Sequence, residues 1–149
     1  MGQTFTCLYS HLIIATHRRV EAIKADIRPR LYKYMSDILA GEKCVLLAAG
    51  GTSDHVHLLL SIRPNISLSE AARAIKGKTS KWMQVTFPDL ASFEWQSGFS
   101  AFSVSHSNLE KVREFILKQD EHHKRASFRD ELIAILKKHD MEFDSKYIM

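Results

Sequence analysis

The chain has 149 residues, 45% of them hydrophobic, which is enough for a core that folds without disulfide or metal staples. Its two cysteines, Cys7 and Cys44, sit inside apolar runs and read as reduced core thiols, which excludes a disulfide scaffold and a cysteine metal site. No signal-like segment opens the chain and no run approaches a membrane span, so a cytoplasmic protein is expected, and a net charge of +4 favours an anionic partner.

A first strand is expected over residues 4–15, from Phe5, Tyr9, Leu12, Ile13 and Ile14. Residues 25–40 predict a helix: Ile27, Leu31, Met35, Ile38 and Leu39 recur at helical spacing, Pro29 is tolerable near the first turn, and Gly41 is a fitting stop. A second strand over 43–49 leads through Gly50-Gly51, read as a tight connection, into a third strand that starts at Asp54. In that third strand His55, His57, Leu59 and Ser61 point one way, while Val56, Leu58, Leu60 and Ile62 form an apolar opposite face.

Ser67-Leu68-Ser69-Glu70 has the form of a capping box, opening a helix to about Phe87. Its apolar side carries Leu68, Ala71, Ala72, Ile75, Trp82 and Met83. Arg73, Lys76, Ser80 and Lys81 lie on another face, which is either solvated surface or a phosphate-binding face with Trp82 placed to support a base. A loop containing Trp95 precedes a fourth strand over 101–105. Ser107-Asn108-Leu109-Glu110 reads as a second capping box for a helix from Leu109 to about Arg125, with Phe115, Gln119 and His122 on one face. Ser127 caps a last helix over 128–139. The order β-α-β-β-α-β followed by helices predicts one domain over 1–149: an α+β, ferredoxin-like antiparallel sheet with helices packed on it and further helices at the C-terminus.

Two imidazoles one pleat apart can hold one divalent ion, although such a pair alone more often fills a structural or surface role. A histidine-triad phosphohydrolase would need another histidine two residues after His57, where Leu59 stands. His122 and His123, with Lys124 and Arg125, read as positive charge favouring a helix C-terminus or touching phosphates, rather than as a second metal site.

Several blocks in order carry a family resemblance: residues 50–59 around His55-Val56-His57; Ile75-Lys76-Gly77-Lys78-Thr79-Ser80-Lys81-Trp82; residues 95–105 around Trp95-Gln96-Ser97-Gly98-Phe99; and the helix with Phe115 and Gln119, then Glu121-His122-His123. Over almost its whole length the chain resembles the small single-tyrosine transposases of bacterial insertion sequences and their palindrome-associated relatives, nucleases named for a His-hydrophobe-His motif. The resemblance implies cutting of single-stranded DNA beside a hairpin through a 5′-phosphotyrosine. It also implies a divalent ion (Mg2+ or Mn2+) on His55, His57 and Gln119, DNA contacts from Arg73, Lys76, Ser80 and Lys81, and a homodimer with active sites shared between subunits. The family's tyrosine falls on Phe115, which has no hydroxyl. The chain then reads either as a transposase disabled at that position or as a non-enzymatic binder of hairpin DNA. Among the remaining tyrosines, Tyr147 in the tail is the one best able to reach the site.

Overall fold

A computed structural model of the chain describes every residue except Met1, Lys124, Arg125, Ser145, Tyr147 and Met149. Its four strands are β1 (Tyr9–Ala15), β2 (Val45–Gly51), β3 (His55–Ser61) and β4 (Ser100–Val104), in the order β2-β3-β1-β4 with antiparallel neighbours throughout. Helices α1 (Arg28–Gly41) and α2 (Leu68–Thr86) cross one face. On the other lie α3 (Leu109–Leu117), the short α4 (Gln119–His122) and α5 (Phe128–Lys138). This is the expected ferredoxin-like α+β arrangement, with three added helices closing the second face.

Strand alternation divides the core. Leu12 and Ile14 of β1, with Val56, Leu58 and Leu60 of β3, pack under Leu31, Met35 and Leu39 of α1 and Ala71, Ala72, Ile75 and Met83 of α2. The opposite residues of the same strands, Ile13, Ala15 and Leu59, meet Ile116 of α3 and Phe128, Leu132 and Leu136 of α5. Ser67 caps α2 by accepting from the Glu70 amide at 3.1 Å, and Ser127 caps α5 by accepting from the Asp130 amide at 3.1 Å.

Several local expectations are corrected. β1 begins at Tyr9 because that residue makes the last pairs to both neighbours, with Ser61 and Val104; before it only the Leu8 carbonyl still accepts, from the Ile62 amide at 2.9 Å. Cys7 therefore lies exposed before the sheet, while Cys44 is buried as expected. Gly50 and Gly51 belong to β2, not to the turn, and the hairpin connection is residues 52–54. A side chain at Gly50 would run into the backbone carbonyl of Ile116, so the glycine is what lets α3 settle on the sheet. Ser107 does not cap α3: it lies inside a 3-10 turn, His106–Asn108, and its hydroxyl bonds that of Ser105 at 3.1 Å. The expected single helix from Leu109 is interrupted at Lys118 (φ −104°, ψ 25°), and its expected end at Arg125 falls outside the described residues.

Candidate metal centre and nucleophile position

β3 turns His55 and His57 to the α3–α5 side, where both are fully buried. The pocket around them is built from every element of that face: His11 and Ile13 from β1, Phe115 from α3, Gln119 from α4, and Phe128 and Glu131 from α5. A buried imidazole is costly unless its ring nitrogens are partnered, so the contacts of His55 and His57 define the site.

The Nδ1 of His55 lies 2.8 Å from Asp54 Oδ1 and 3.0 Å from Thr52 Oγ1, so its proton belongs on that nitrogen, facing the carboxylate. Arg19 donates to the other Asp54 oxygen from Nε at 3.0 Å and Nη2 at 2.8 Å. Burial pushes the Asp54 carboxyl up, but hydrogen bonds from His55 and Arg19, with the charge of Arg19, hold it at about 2. This is the carboxylate–histidine arrangement that fixes the tautomer of a metal ligand. The opposite nitrogen, Nε2, faces Gln119 Oε1 at 3.0 Å. Phe128 stacks on the His55 ring with centroids 4.1 Å apart, and the Arg19 guanidinium lies 4.3 Å from the Phe128 centroid.

His57 is held by a second imidazole. Its Nδ1 sits 2.7 Å from His11 Nε2, a separation that one proton must bridge. Burial, and then His57 itself, lower His11 to about 3; burial and the neighbouring His55, His123 and His122 push His57 well below the ordinary imidazole range. Both rings are therefore neutral at physiological pH, the state in which a nitrogen can coordinate a metal.

The remaining nitrogen of His57 provides the test of whether this donor set fits an ion. His57 Nε2 and Glu131 Oε1 are 2.7 Å apart, yet the two atoms are misaligned, so among the described residues each is buried without a hydrogen-bond partner. Two such atoms are a donor pair that one cation lying beside both would satisfy. His55 Nε2 is 4.0 Å from the same Glu131 oxygen. The ligand atoms of His55, His57 and Glu131 all lie within 4.8 Å of one another, a donor group that could hold one ion, with Gln119 Oε1 beside them.

The sequence reading did not find Glu131 or His11. A carboxylate among Phe128, Leu132 and Ile135 on the inner side of α5 was the available signal for Glu131. For His11, it was a lone imidazole in the apolar run of β1.

Phe115 is half-buried, with its ring edge-on to His57 at 5.6 Å between centroids and 5.2 Å from the His122 ring. Gln119 follows four residues later and is buried at 1% exposure. Both meet the histidines of their own chain. Tyr147 lies outside the described residues. Tyr9 sits beside His106 and Tyr34 against Trp82, while Tyr32, on α1, has its hydroxyl buried and pushed up to about 12 by that burial.

The predicted DNA face is elsewhere: α2 lies across the sheet from the histidines. Arg73 and Lys81 are exposed and Ser80 is half-buried. Lys76 instead donates from Nζ to the carbonyls of Gln96 and Gly98, both at 2.8 Å, and so holds the loop that enters β4. Trp82 is half-buried between Tyr34 and Phe87.

Residues 4–119 match the family model described as "Transposase IS200 like". The ISDra2 transposase TnpA of Deinococcus radiodurans is 25% identical over 114 residues, 73% of this chain and 81% of that protein. The transposase for insertion sequence element IS200 of Salmonella typhimurium is 28% identical over 126 residues, 80% of this chain and 81% of that protein. Among solved structures, a candidate transposase from Deinococcus radiodurans R1 shares the fold with a TM-score of 0.63 and 24% identity, covering 78% of this chain and 94% of that one. A REP-associated tyrosine transposase solved with a REP hairpin also shares it, with a TM-score of 0.58 and 12% identity over 78% of this chain and 68% of that one.

Proposed function

The chain belongs to the IS200-like transposase family, and from that membership we propose that it works, as one domain over 1–149, on single-stranded DNA hairpin ends with machinery for metal-assisted strand transfer. In this reading Phe115 occupies the nucleophile position. The observation that carries it is the Phe115 ring, edge-on to His57 at 5.6 Å and four residues before Gln119. Tyrosine adds a single oxygen to that ring. A divalent ion, Mg2+ or Mn2+, held by His55, His57 and Gln119 would polarise a backbone phosphate and stabilise the charge that develops on it.

The chain's own residues do the positioning. Asp54, anchored by Arg19, keeps the His55 proton on Nδ1, and His11 fixes the ring of His57. Without a hydroxyl, Phe115 cannot form a phosphotyrosine, so the chain as it stands binds without cutting. That absence equally favours a second reading, a non-enzymatic hairpin-DNA binder on the same fold. The two readings differ in whether a hydroxyl at position 115 produces cleavage.

In the proposal Arg73, Ser80 and Lys81 touch DNA, and Lys76 acts through the loop whose carbonyls it holds. Hairpin recognition is supported by family membership and by a REP hairpin bound to a protein of the same fold. A homodimer with shared sites completes the reading, and would require the α3–α4 segment to exchange between copies, since here Gln119 meets His55 of its own chain. Light scattering on the DNA complex tests that stoichiometry.

The function is tested by comparing a hairpin carrying a single-stranded flank with a plain duplex of equal length across a salt series. The hairpin should bind more tightly, with affinity falling as salt rises because neutralised phosphates release counterions. Arg73→Ala and Lys81→Ala should each reduce the salt slope by about 1. Equal binding of hairpin and duplex at every salt concentration would contradict the proposal.

A further inference from the structure

The second oxygen of Glu131 has its own set of partners. Oε2 lies 3.0 Å from His122 Nε2 and 2.9 Å from His123 Nε2 and accepts from Gln119 Nε2 at 3.3 Å, while Oε1 is the oxygen that meets His57; Gln119, whose Oε1 is 3.0 Å from His123 Nε2, lies between the two groups. We propose that His122, His123 and Glu131 form a second divalent-cation site, and that the Glu131 carboxylate bridges it to the ion held by the His55–His57 pair.

Three observations carry this. The ligand atoms of His122, His123 and Glu131 all lie within 4.8 Å of one another. Consecutive residues of a helix point in different directions and do not normally face each other. His122 is the last residue of α4 and His123 its C-cap, and this helix end lets both side chains converge on a single oxygen. Finally, among the described residues His122 Nε2 is buried without a hydrogen-bond partner although a carboxylate oxygen is 3.0 Å away, so the contact is not an aligned N–H···O bond. A cation accepts both lone pairs where a hydrogen bond does not form.

The chemistry selects the ion class. Two imidazoles and one carboxylate are the donor set of His2Glu zinc sites, and imidazole favours manganese or zinc over magnesium. Access differs between the two positions. The His122 side chain is 33% exposed, whereas those of His55, His57 and Glu131 are at most 2% exposed. The ring of His122 therefore reaches solvent while its Nε2 is buried against Glu131. Cations on both sides of one carboxylate also relieve the cost of burying its charge.

The inference rests on the proposed reading for the ion at His55 and His57, and the test separates the two. The metal-free full chain is dialysed against Mn2+, bound metal is counted by mass spectrometry, and the Mn2+ resonance is recorded. The natural chain should bind two ions, and the six-line signal of isolated Mn2+ should weaken as the second enters, because carboxylate-bridged ions couple magnetically. His122→Gln/His123→Gln, which keeps the hydrogen-bonding capacity, should bind one ion with the six-line signal intact. Two ions retained in that variant would overturn the second site. One ion at saturation in the natural chain, lost in His57→Ala, would also overturn it while leaving the first reading standing. Metal binding untouched by His57→Ala would sink the first reading instead.

Discussion

β3 sends Val56, Leu58 and Leu60 into one layer and His55, His57 and Leu59 into the other, and all six are completely buried. On the first side the neighbours are the aliphatic faces of α1 and α2. On the second, the neighbours include the buried His11, Gln119 and Glu131 and the half-buried His123, so that with His55 and His57 four imidazoles, a carboxylate and an amide meet there. Burying apolar surface stabilises the fold, whereas burying polar atoms costs stability unless they are paired. One side of the sheet therefore supplies folding free energy, and the other consumes some of it to hold donor atoms in fixed directions.

Adjacent residues of one strand test this division most strongly. Leu58→Ala should destabilise the metal-free protein by about 2–5 kcal/mol in urea denaturation while leaving Mn2+ affinity of the folded protein unchanged. His57→Ala should do the reverse, with Mn2+ affinity in calorimetry falling by more than about tenfold and a smaller loss of stability. If both variants damaged stability alone, the histidine side would be ordinary core. Gly50→Ala comes next. The new methyl group meets the Ile116 carbonyl, so α3 must lift, at a cost of about 1–3 kcal/mol, with a fall in Mn2+ affinity as Gln119 shifts. A fully stable Gly50→Ala would contradict the close approach of α3.

The smallest of these effects is on acid stability. His11 has a folded pKa of about 3, below its unfolded value of about 6.5, so the unfolded chain binds the extra proton between those values. The stability His11 contributes is complete above about pH 6.5 and is lost as pH falls toward 3. His57, also lowered, adds a loss of the same sign below the ordinary imidazole range. Asp54 adds a further loss below about 3.8, ending near 2. His11→Asn should make the acid limb of metal-free urea midpoints shallower by up to one proton; an unchanged slope would remove His11 from the titration.

The sequence carried the order of the elements and the two faces of β3, because period-2 alternation and helical spacing report burial directly. It also pointed to His55, His57 and Gln119, which the fold brings within hydrogen-bonding distance or one pleat of each other. It could not show that α5 folds over the same pocket. Glu131 is distant from the histidines in the chain, and nothing in local periodicity links an acidic residue of the last helix to a strand near the middle. His122 and His123 read as helix-end charges for the same reason, since their partner is a tertiary one. Gly50 and Gly51 looked like a turn because a close backbone approach, of Ile116 in α3 at Gly50 and of His55 in β3 at Gly51, leaves the same local mark as a reverse turn. Lys76 looked like a phosphate ligand, and its carbonyl partners on the loop before β4 became visible only in three dimensions.

The measurement closest to the central claim uses a labelled hairpin oligonucleotide with Mn2+, run on a denaturing gel beside the natural chain and Phe115→Tyr. A hydroxyl on the ring beside His57 would stand next to the ligand pocket, within the approach of about 3–3.5 Å that an attacking group needs if the phosphate sits on the ion. The natural chain should bind the hairpin and form no adduct, while Phe115→Tyr should cut it and carry the DNA on a 5′-phosphotyrosine. An adduct with the natural chain, or none with a folded, metal-binding Phe115→Tyr, would contradict the placement of the nucleophile at residue 115.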